Sequence, residues 1–302
     1  MQKIIPHLWF DKEAAEASEF YVSVFGGDSK IESTTLLRNT PSGDCDFIEF
    51  KLWGHQFMAI SAGPFFKLNP SISFMLNFDP SQDPDAAVHI KEMWDKLSQG
   101  GKALMDFGEY PFSKQYGWIQ DKYGVSWQLI LTNPEGEKRP AIIPSLMFAG
   151  NVYGKAEEAF KKYVSIFKNA KLGMINRYPG GEPSVEGKVM FMDAMLEGQW
   201  FAAIDAAGKH DFGFNEAISL LVECETQEEI DYYWNKLSSV PEAEQCGWLK
   251  DIYGVSWQIH PRKVGDMLKD TDQEKVDRVT KAFLQMKKFD IATLQKAYEG
   301  AN

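Results

Sequence analysis

Apolar and polar positions along this 302-residue chain follow two periods that take turns. Ile5 to Phe10 is a short apolar run and predicts a strand. Ala17, Phe20, Tyr21, Val24 and Phe25 then recur at helical spacing, with Asp11 placed to cap that helix and Gly26-Gly27 to stop it. Strand-like stretches follow near 30–37, 46–53 and 55–61. The order begins again with SISFMLNF at 71–78 and a helical stripe of Ile90, Met93, Trp94 and Leu97 that ends at Gly100-Gly101. Further strand-like stretches lie near 102–107, 116–120 and 125–132. In the second half, Thr226 and Glu229 have the spacing of a capping box ahead of Ile230, Tyr233, Trp234 and Leu237. After residue 270 the pattern predicts two helices. Thr271 and Glu274 would box the first, and Asp290 would cap the second, which carries Leu294 and Tyr298.

The two halves are one unit written twice. GWIQDKYGVSWQL at 117–129 returns as GWLKDIYGVSWQI at 247–259, nine of thirteen positions being identical. IPHLWF returns as IPSLMF, YVSVF as YVSIF, and WDKLS as WNKLS, in the same order. Repetition at a fixed order marks a duplicated domain. The Pro-, Gly- and charge-rich stretch TNPEGEKRPA separates the copies. The expected domains are therefore 1–135 and 140–265, with a helical extension at 266–302. Each copy reads β-α-β-β-β twice, so the fold class is α+β, built from four βαβββ modules with curved mixed sheets. Such a module cannot bury both faces of its sheet alone. Modules must pair, with helices on one face and a cleft on the other. Whether they pair within a copy or swap between copies is open at this stage.

Composition narrows the functional classes. Hydrophobic residues make up 44% and charged residues 25%, as in ordinary globular chains. The net charge of −11 argues against a nucleic-acid or anionic-membrane surface. Cys45, Cys224 and Cys246 form no CxxC pair and no disulfide framework, and fit a cytoplasmic location. No apolar run approaches the roughly 20 residues of a membrane span, and the first residues lack the pattern of a secretory signal. The aromatic share of 14% is high enough for some rings to line a cleft that favours a flat or apolar molecule.

IPHLWFDKEAAEASEFYVSVFG, GWIQDKYGVSWQL and the closing VTKAFLQMKKFDIATLQKAYEG resemble the PhnB-like branch of the vicinal-oxygen-chelate superfamily, which includes glyoxalase I, bleomycin-resistance proteins and extradiol dioxygenases. The resemblance covers nearly the whole chain. It implies two tandem glyoxalase/bleomycin-resistance-like domains whose copies pair within the chain, as single-domain relatives pair into dimers. A further homodimer through the tail stays open. This branch often carries the label 3-demethylubiquinone-9 3-methyltransferase. The sequence argues against that activity, because it has no Gly-rich GxGxG loop and the wrong element order for a doubly wound sheet.

In the superfamily's metalloenzymes, His and carboxylate residues on the first and last strands of each module hold a divalent metal that acts as a Lewis acid. The matching positions here are His7, Ser61, Ser73 and Gln128 in the first copy, and Ser145, Asp205, Ser219 and Gln258 in the second. One imidazole, one carboxylate, hydroxyls and amides are a poor donor set for a transition metal, so no cofactor is expected. If Trp127 and Trp257 pack under helices, strand alternation turns Gln128 and Gln258 toward the cleft. Cys246 is a weak nucleophile candidate without an evident base. The resulting expectation is a protein that binds a small, partly apolar or aromatic molecule without a metal of the usual type. The alternative is a metal-dependent or acid/base lyase, isomerase or dioxygenase using His7 and Asp205.

Overall fold

The computed structural model describes residues 2–181 and 184–301. Met1 and Asn302, the outermost residues of the expected first domain and extension, lie outside the described set. The first module runs β1 (Ile4–Phe10), α1 (Ala14–Phe25), β2 (Lys30–Thr40), β3 (Gly43–Leu52) and β4 (His55–Ser61). The second runs β5 (Ile72–Phe78), α2 (Ala86–Leu97), β6 (Lys102–Tyr110), β7 (Ser113–Gln120) and β8 (Ser126–Leu131). The third runs β9 (Ile142–Phe148), α3 (Ala156–Ile166), β10 (Lys171–Arg177), β11 (Val189–Leu196) and β12 (Gln199–Asp205). The fourth holds β13 (Ile218–Cys224), α4 (Gln227–Leu237), β14 (Trp248–Lys250) and β15 (Ser256–Pro261). Three helices close the chain: α5 (Arg262–Leu268), α6 (Gln273–Phe283) and α7 (Ile291–Glu299).

The strands form two sheets. The first has the order β14-β15-β13-β1-β4-β3-β2, and the second β10-β11-β12-β9-β5-β8-β7-β6. Modules therefore swap between copies. The first pairs with the fourth through antiparallel β1 and β13, and the second with the third through antiparallel β5 and β9. The compact units follow this pairing. One comprises Met1–Val22, Asp28–Lys67 and Phe214–Asn302, and the other Ser23–Gly27 and Leu68–Gly213. The sequence repeats 1–135 and 140–265 are thus units of duplication, and each contributes one module to each folded unit. The linker helps decide this. Asn77 Nδ2 donates to the Pro140 carbonyl at 2.7 Å and Asn77 N to the Ala141 carbonyl at 2.8 Å, which lays β9 directly beside β5.

The fourth module departs from the expected element order. Trp94 and Gly117 are 23 residues apart, whereas their counterparts Trp234 and Gly247 are 13 apart. The missing length is that of β6, and the fourth module has no such strand. The tail supplies its hydrogen bonds instead. Cys246 N donates to the Met286 carbonyl at 2.8 Å and Gly247 N to the Lys287 carbonyl at 2.7 Å. A side chain at Gly247 would place its Cβ 2.7 Å from the Phe289 ring, at a φ of +83°, so both space and backbone conformation require glycine there. In the second module the matching Gly117 is held free of a side chain by Trp94, whose ring lies 2.5 Å from where a Cβ would sit.

The best-preserved repeat is a structural clamp. In the DKYGVSW turn, Asp121 Oδ1 accepts from Tyr123 N and Val125 N at 2.9 and 3.0 Å, and Oδ2 accepts from Trp127 Nε1 at 2.8 Å. Asp251 repeats the arrangement with Tyr253 N, Val255 N and Trp257 Nε1, at 2.9, 3.0 and 3.0 Å. Both carboxylates and both indoles are buried. A carboxylate removed from water must have its acceptor sites filled, and this turn fills them with its own backbone and the tryptophan.

The tail has one helix more than expected. Asp272 caps α6 by accepting from Glu274 N at 3.0 Å, in place of the expected Thr271–Glu274 box. Asp290 caps α7 through Thr293 N at 2.7 Å, as its position predicted. Val264, Met267, Leu268, Val276, Val279, Phe289 and Leu294 form one buried cluster with Leu37, Cys45 and Ala62, and Trp9, Phe47 and Ile60 pack against it.

Candidate functional site

Register assigns each candidate to a face. Residues directly paired across strands point the same way, and neighbours along a strand point opposite ways. In the second sheet Phe74 is paired with Trp127 and Met75 with Gln128. Phe74 and Trp127 pack together on the helix side, so Ser73, Met75 and Gln128 lie on the opposite side, called here the cleft face. Ser145 joins them opposite Ser73. In the first sheet, Tyr21 of α1 stacks on Phe50, which places Glu49 and its partner Met58 on the cleft face. Met58 is paired with His7, and His7 with Ser219.

The eight candidates therefore sort differently from the copies. His7, Ser61, Ser219 and Gln258 belong to the first unit, and Ser73, Gln128, Ser145 and Asp205 to the second. Two of the eight are not brought to a cleft. Ser61 Oγ accepts from Ala14 N at 3.1 Å, at the start of α1, and so takes the capping part expected of Asp11. Asp205 Oδ1 accepts from Ala156 N at 3.1 Å, at the start of α3, and Oδ2 accepts from Val189 N at 2.9 Å. A buried carboxylate at a helix N-terminus satisfies orphan backbone donors and favours the helix dipole. The positions on these strands that do reach the cleft face are Met58, beside His7, and Ala202, beside Ser145. Alternation could have found the error, since both lie an odd number of residues from the expected position.

Both cleft faces carry a central bridge. Gln128 Nε2 donates to Ser73 Oγ at 2.8 Å, and Gln258 Nε2 donates to Ser219 Oγ at 2.9 Å. Their surroundings then diverge. In the second unit, Tyr116 OH donates to Gln128 Oε1 at 2.7 Å, and Trp118 Nε1 donates to Ser126 Oγ at 2.6 Å. Burial pushes the Tyr116 phenol well above its ordinary value, so it stays a neutral donor. Met75, Ile143 and Ala202 continue the floor, with Ile130, Phe191 and Trp200 packed on them. Arg139 from the linker lies over the Trp200 ring at 3.8 Å and donates to Asp193 at 2.8 Å. The helices packed on this sheet, α2 and α3, lie on its other face.

In the first unit, Cys246 stands where Tyr116 would be, and the tail covers the cleft face. His7 is 2% exposed and its Nδ1 has no hydrogen-bond partner. It stacks on Phe47 and meets Trp248 edge-on. Burial, reinforced by His260, lowers its pKa to about 3, and burial lowers that of His260 to about 4. Both imidazoles are therefore neutral near pH 7. Glu49 is buried on the same face and pairs with Lys269 of the tail at 2.7 Å. Thr35 donates to the Leu268 carbonyl, and Arg262 pairs with Glu223. Burial raises the Cys246 thiol, which removes the thiolate a nucleophile would need.

The donor sets do not fit the superfamily's metal. The first unit brings together His7, Met58, Ser219 and Gln258, and the second Ser145, Ala202, Ser73 and Gln128. Neither offers a carboxylate, and only one position is an imidazole. Among the described residues no three His, Cys, Asp or Glu side chains are grouped as such a site requires.

Swapped βαβββ modules and two mixed sheets, each with a glutamine–serine bridge on one face, define a glyoxalase/bleomycin-resistance-like fold. The chain belongs to the family described as 3-demethylubiquinone-9 3-methyltransferase, whose model matches residues 2–130 and again 140–260. A PhnB protein from Bacillus cereus carrying the same description is 38% identical over 43% of this chain and 100% of its own, with a TM-score of 0.38. Protein PA1353 from Pseudomonas aeruginosa is 21% identical over 44% of this chain and 98% of its own, at 0.37. Glyoxalase I from Zea mays is 14% identical over 84% of this chain and 92% of its own, at 0.49. No curated protein matches the chain. No helix among the described residues is long and apolar enough to cross a membrane.

Proposed function

We propose that this protein binds a small, partly apolar or aromatic, uncharged molecule on the cleft face of its second unit, without a metal of the superfamily type. One observation carries the reading. The two sheets match at their centres, yet α5–α7 pack on the cleft face of only one. The other keeps a neutral polar floor of Tyr116, Gln128, Ser73 and Ser145, flanked by Met75, Ile130, Phe191 and Trp200. An apolar surface with a few placed polar groups is what small-molecule sites offer. Arg139 beside this floor is already engaged by Asp193 and Glu137, and burying an ionic ligand there without a partner would be costly.

The lyase, isomerase or dioxygenase alternative has less support. His7 is enclosed by the tail and Asp205 caps a helix on the other face of its sheet. Methyl transfer has no support in the chain either, for want of a nucleotide-binding loop. Three free cysteines favour a reducing, cytoplasmic setting. The apolar faces of the tail helices are occupied within the first unit, so they do not favour a homodimer.

Elemental analysis and a thermal-shift screen of planar uncharged compounds test the reading. The expected result is less than stoichiometric metal, and one ligand per chain whose stabilisation Gln128→Leu weakens and Gln258→Leu does not. Stoichiometric divalent metal that His7→Ala releases would overturn it, as would binding that Gln258→Leu alone abolishes.

A further inference from the structure

A groove of about 490 Å³ lies between the end of β2 and the last turns of α6, lined by Arg38, Asn39, Asp277, Arg278, Lys281 and Gln285. Three cations meet there in a chain whose net charge is −11. Their only acidic neighbour in the lining is Asp277. It stands a loose 3.9 Å from Arg38, and Gln273 Nε2 already donates to it at 2.8 Å. Arg278 is fixed in place, since its Nε and one terminal nitrogen donate to the Ala297 and Tyr298 carbonyls at the end of α7, both at 2.9 Å. A guanidinium held by backbone carbonyls keeps its orientation before any ligand arrives, which reduces the entropy lost on binding. The side chain of Arg38 is 45% exposed and, among the described residues, held only by the long contact to Asp277.

Like charges gathered in one concavity repel one another and concentrate counter-ions. We propose that this groove binds a small phosphorylated anion, with Arg38 and Lys281 closing on it and Arg278 as the fixed cation. The site spans a strand of the first module and a helix of the tail. Its occupant therefore ties the tail to the sheet it covers. The site is separate from the cleft face of the second unit, and neither reading depends on the other.

Inorganic pyrophosphate is the probe, titrated against the intact protein at about 0.15 M salt so that diffuse surface attraction is screened. The expected result is a saturable rise in melting temperature and a calorimetric stoichiometry of one, neither reproduced by sodium chloride of equal ionic strength. Arg38→Gln and Lys281→Gln should each weaken binding about tenfold, the worth of one charge-assisted hydrogen bond. Asp277→Asn should tighten it several-fold. Far-ultraviolet circular dichroism of each variant checks that the fold is kept. The inference fails if pyrophosphate has no saturable effect, if neither cation variant weakens it, or if Asp277→Asn weakens binding.

Discussion

The two units carry the same central bridge, glutamine to serine, and treat the space above it in opposite ways. In the first, Val264, Met267, Leu268, Val276, Val279, Phe289 and Leu294 cover the cleft face. In the second, Tyr116 completes the floor, and the helices that pack on that sheet among the described residues, α2 and α3, lie on its other face. The difference goes with a difference in length between the second and fourth modules. The fourth module lacks the strand that β6 provides in the second, and residues 284–287 bond to the exposed edge left behind. A sheet edge with unpaired backbone groups invites another segment. Once the tail is moored there, its apolar side chains fill the adjoining cleft. The matching faces of two related units are thus finished differently: one is covered by the tail helices and the other is not.

The sharpest way to break this comparison is to remove the tail. Each buried apolar side chain contributes about 1.5–3 kcal/mol on burial, so ending the chain at Pro261 should unfold the first unit. Hydrogen exchange should rise throughout 4–22, 28–61 and 218–261 and stay low in 72–205. Equal loss in both units would show that they do not fold separately. A milder form, Phe289→Ala, should cost about 3–5 kcal/mol in urea unfolding, as large-to-small core changes do.

Acid should also distinguish the units. His7 and His260 are held near pKa 3 and 4 in the fold and return to about 6.5 when unfolded. Between these values the unfolded chain binds more protons, so stability rises with pH. The contribution is fully present above about pH 6.5 and is lost as pH falls toward 4 and 3, at roughly 1.4 kcal/mol per pH unit for each group. His7→Leu removes one of the two groups and an unpartnered Nδ1, so the acid limb of the first unit's melting curve should flatten. A curve that keeps its slope would mean that His7 is solvated in solution.

A smaller effect belongs to the second unit alone. Tyr116→Phe leaves the Gln128 carbonyl oxygen without its donor, at a cost of about 1–3 kcal/mol. Because Cys246 holds the matching place in the first unit, Cys246→Ser should shift stability by less than that. Chemical denaturation of the two variants measures both.

The amino-acid sequence determined the duplication, the module order and most helix positions, because these depend on local periodicity and residue chemistry. Even the missing strand was written in it, as the short interval from Trp234 to Gly247. The GVSW repeat was legible as a repeat, and its role as the Asp121 and Asp251 clamp was not, since a carboxylate shows its purpose only through what donates to it. Strand alternation turned Gln128 and Gln258 to the cleft correctly, but an unknown register left Ser61 and Asp205 on the wrong face. Which modules pair, which cleft the tail fills and which residues therefore share a site were decided by tertiary structure. Those outcomes rest on contacts between segments distant in the chain, such as Ser73 with Ser145, Glu49 with Lys269 and Thr35 with Leu268, whose partners no local pattern specifies.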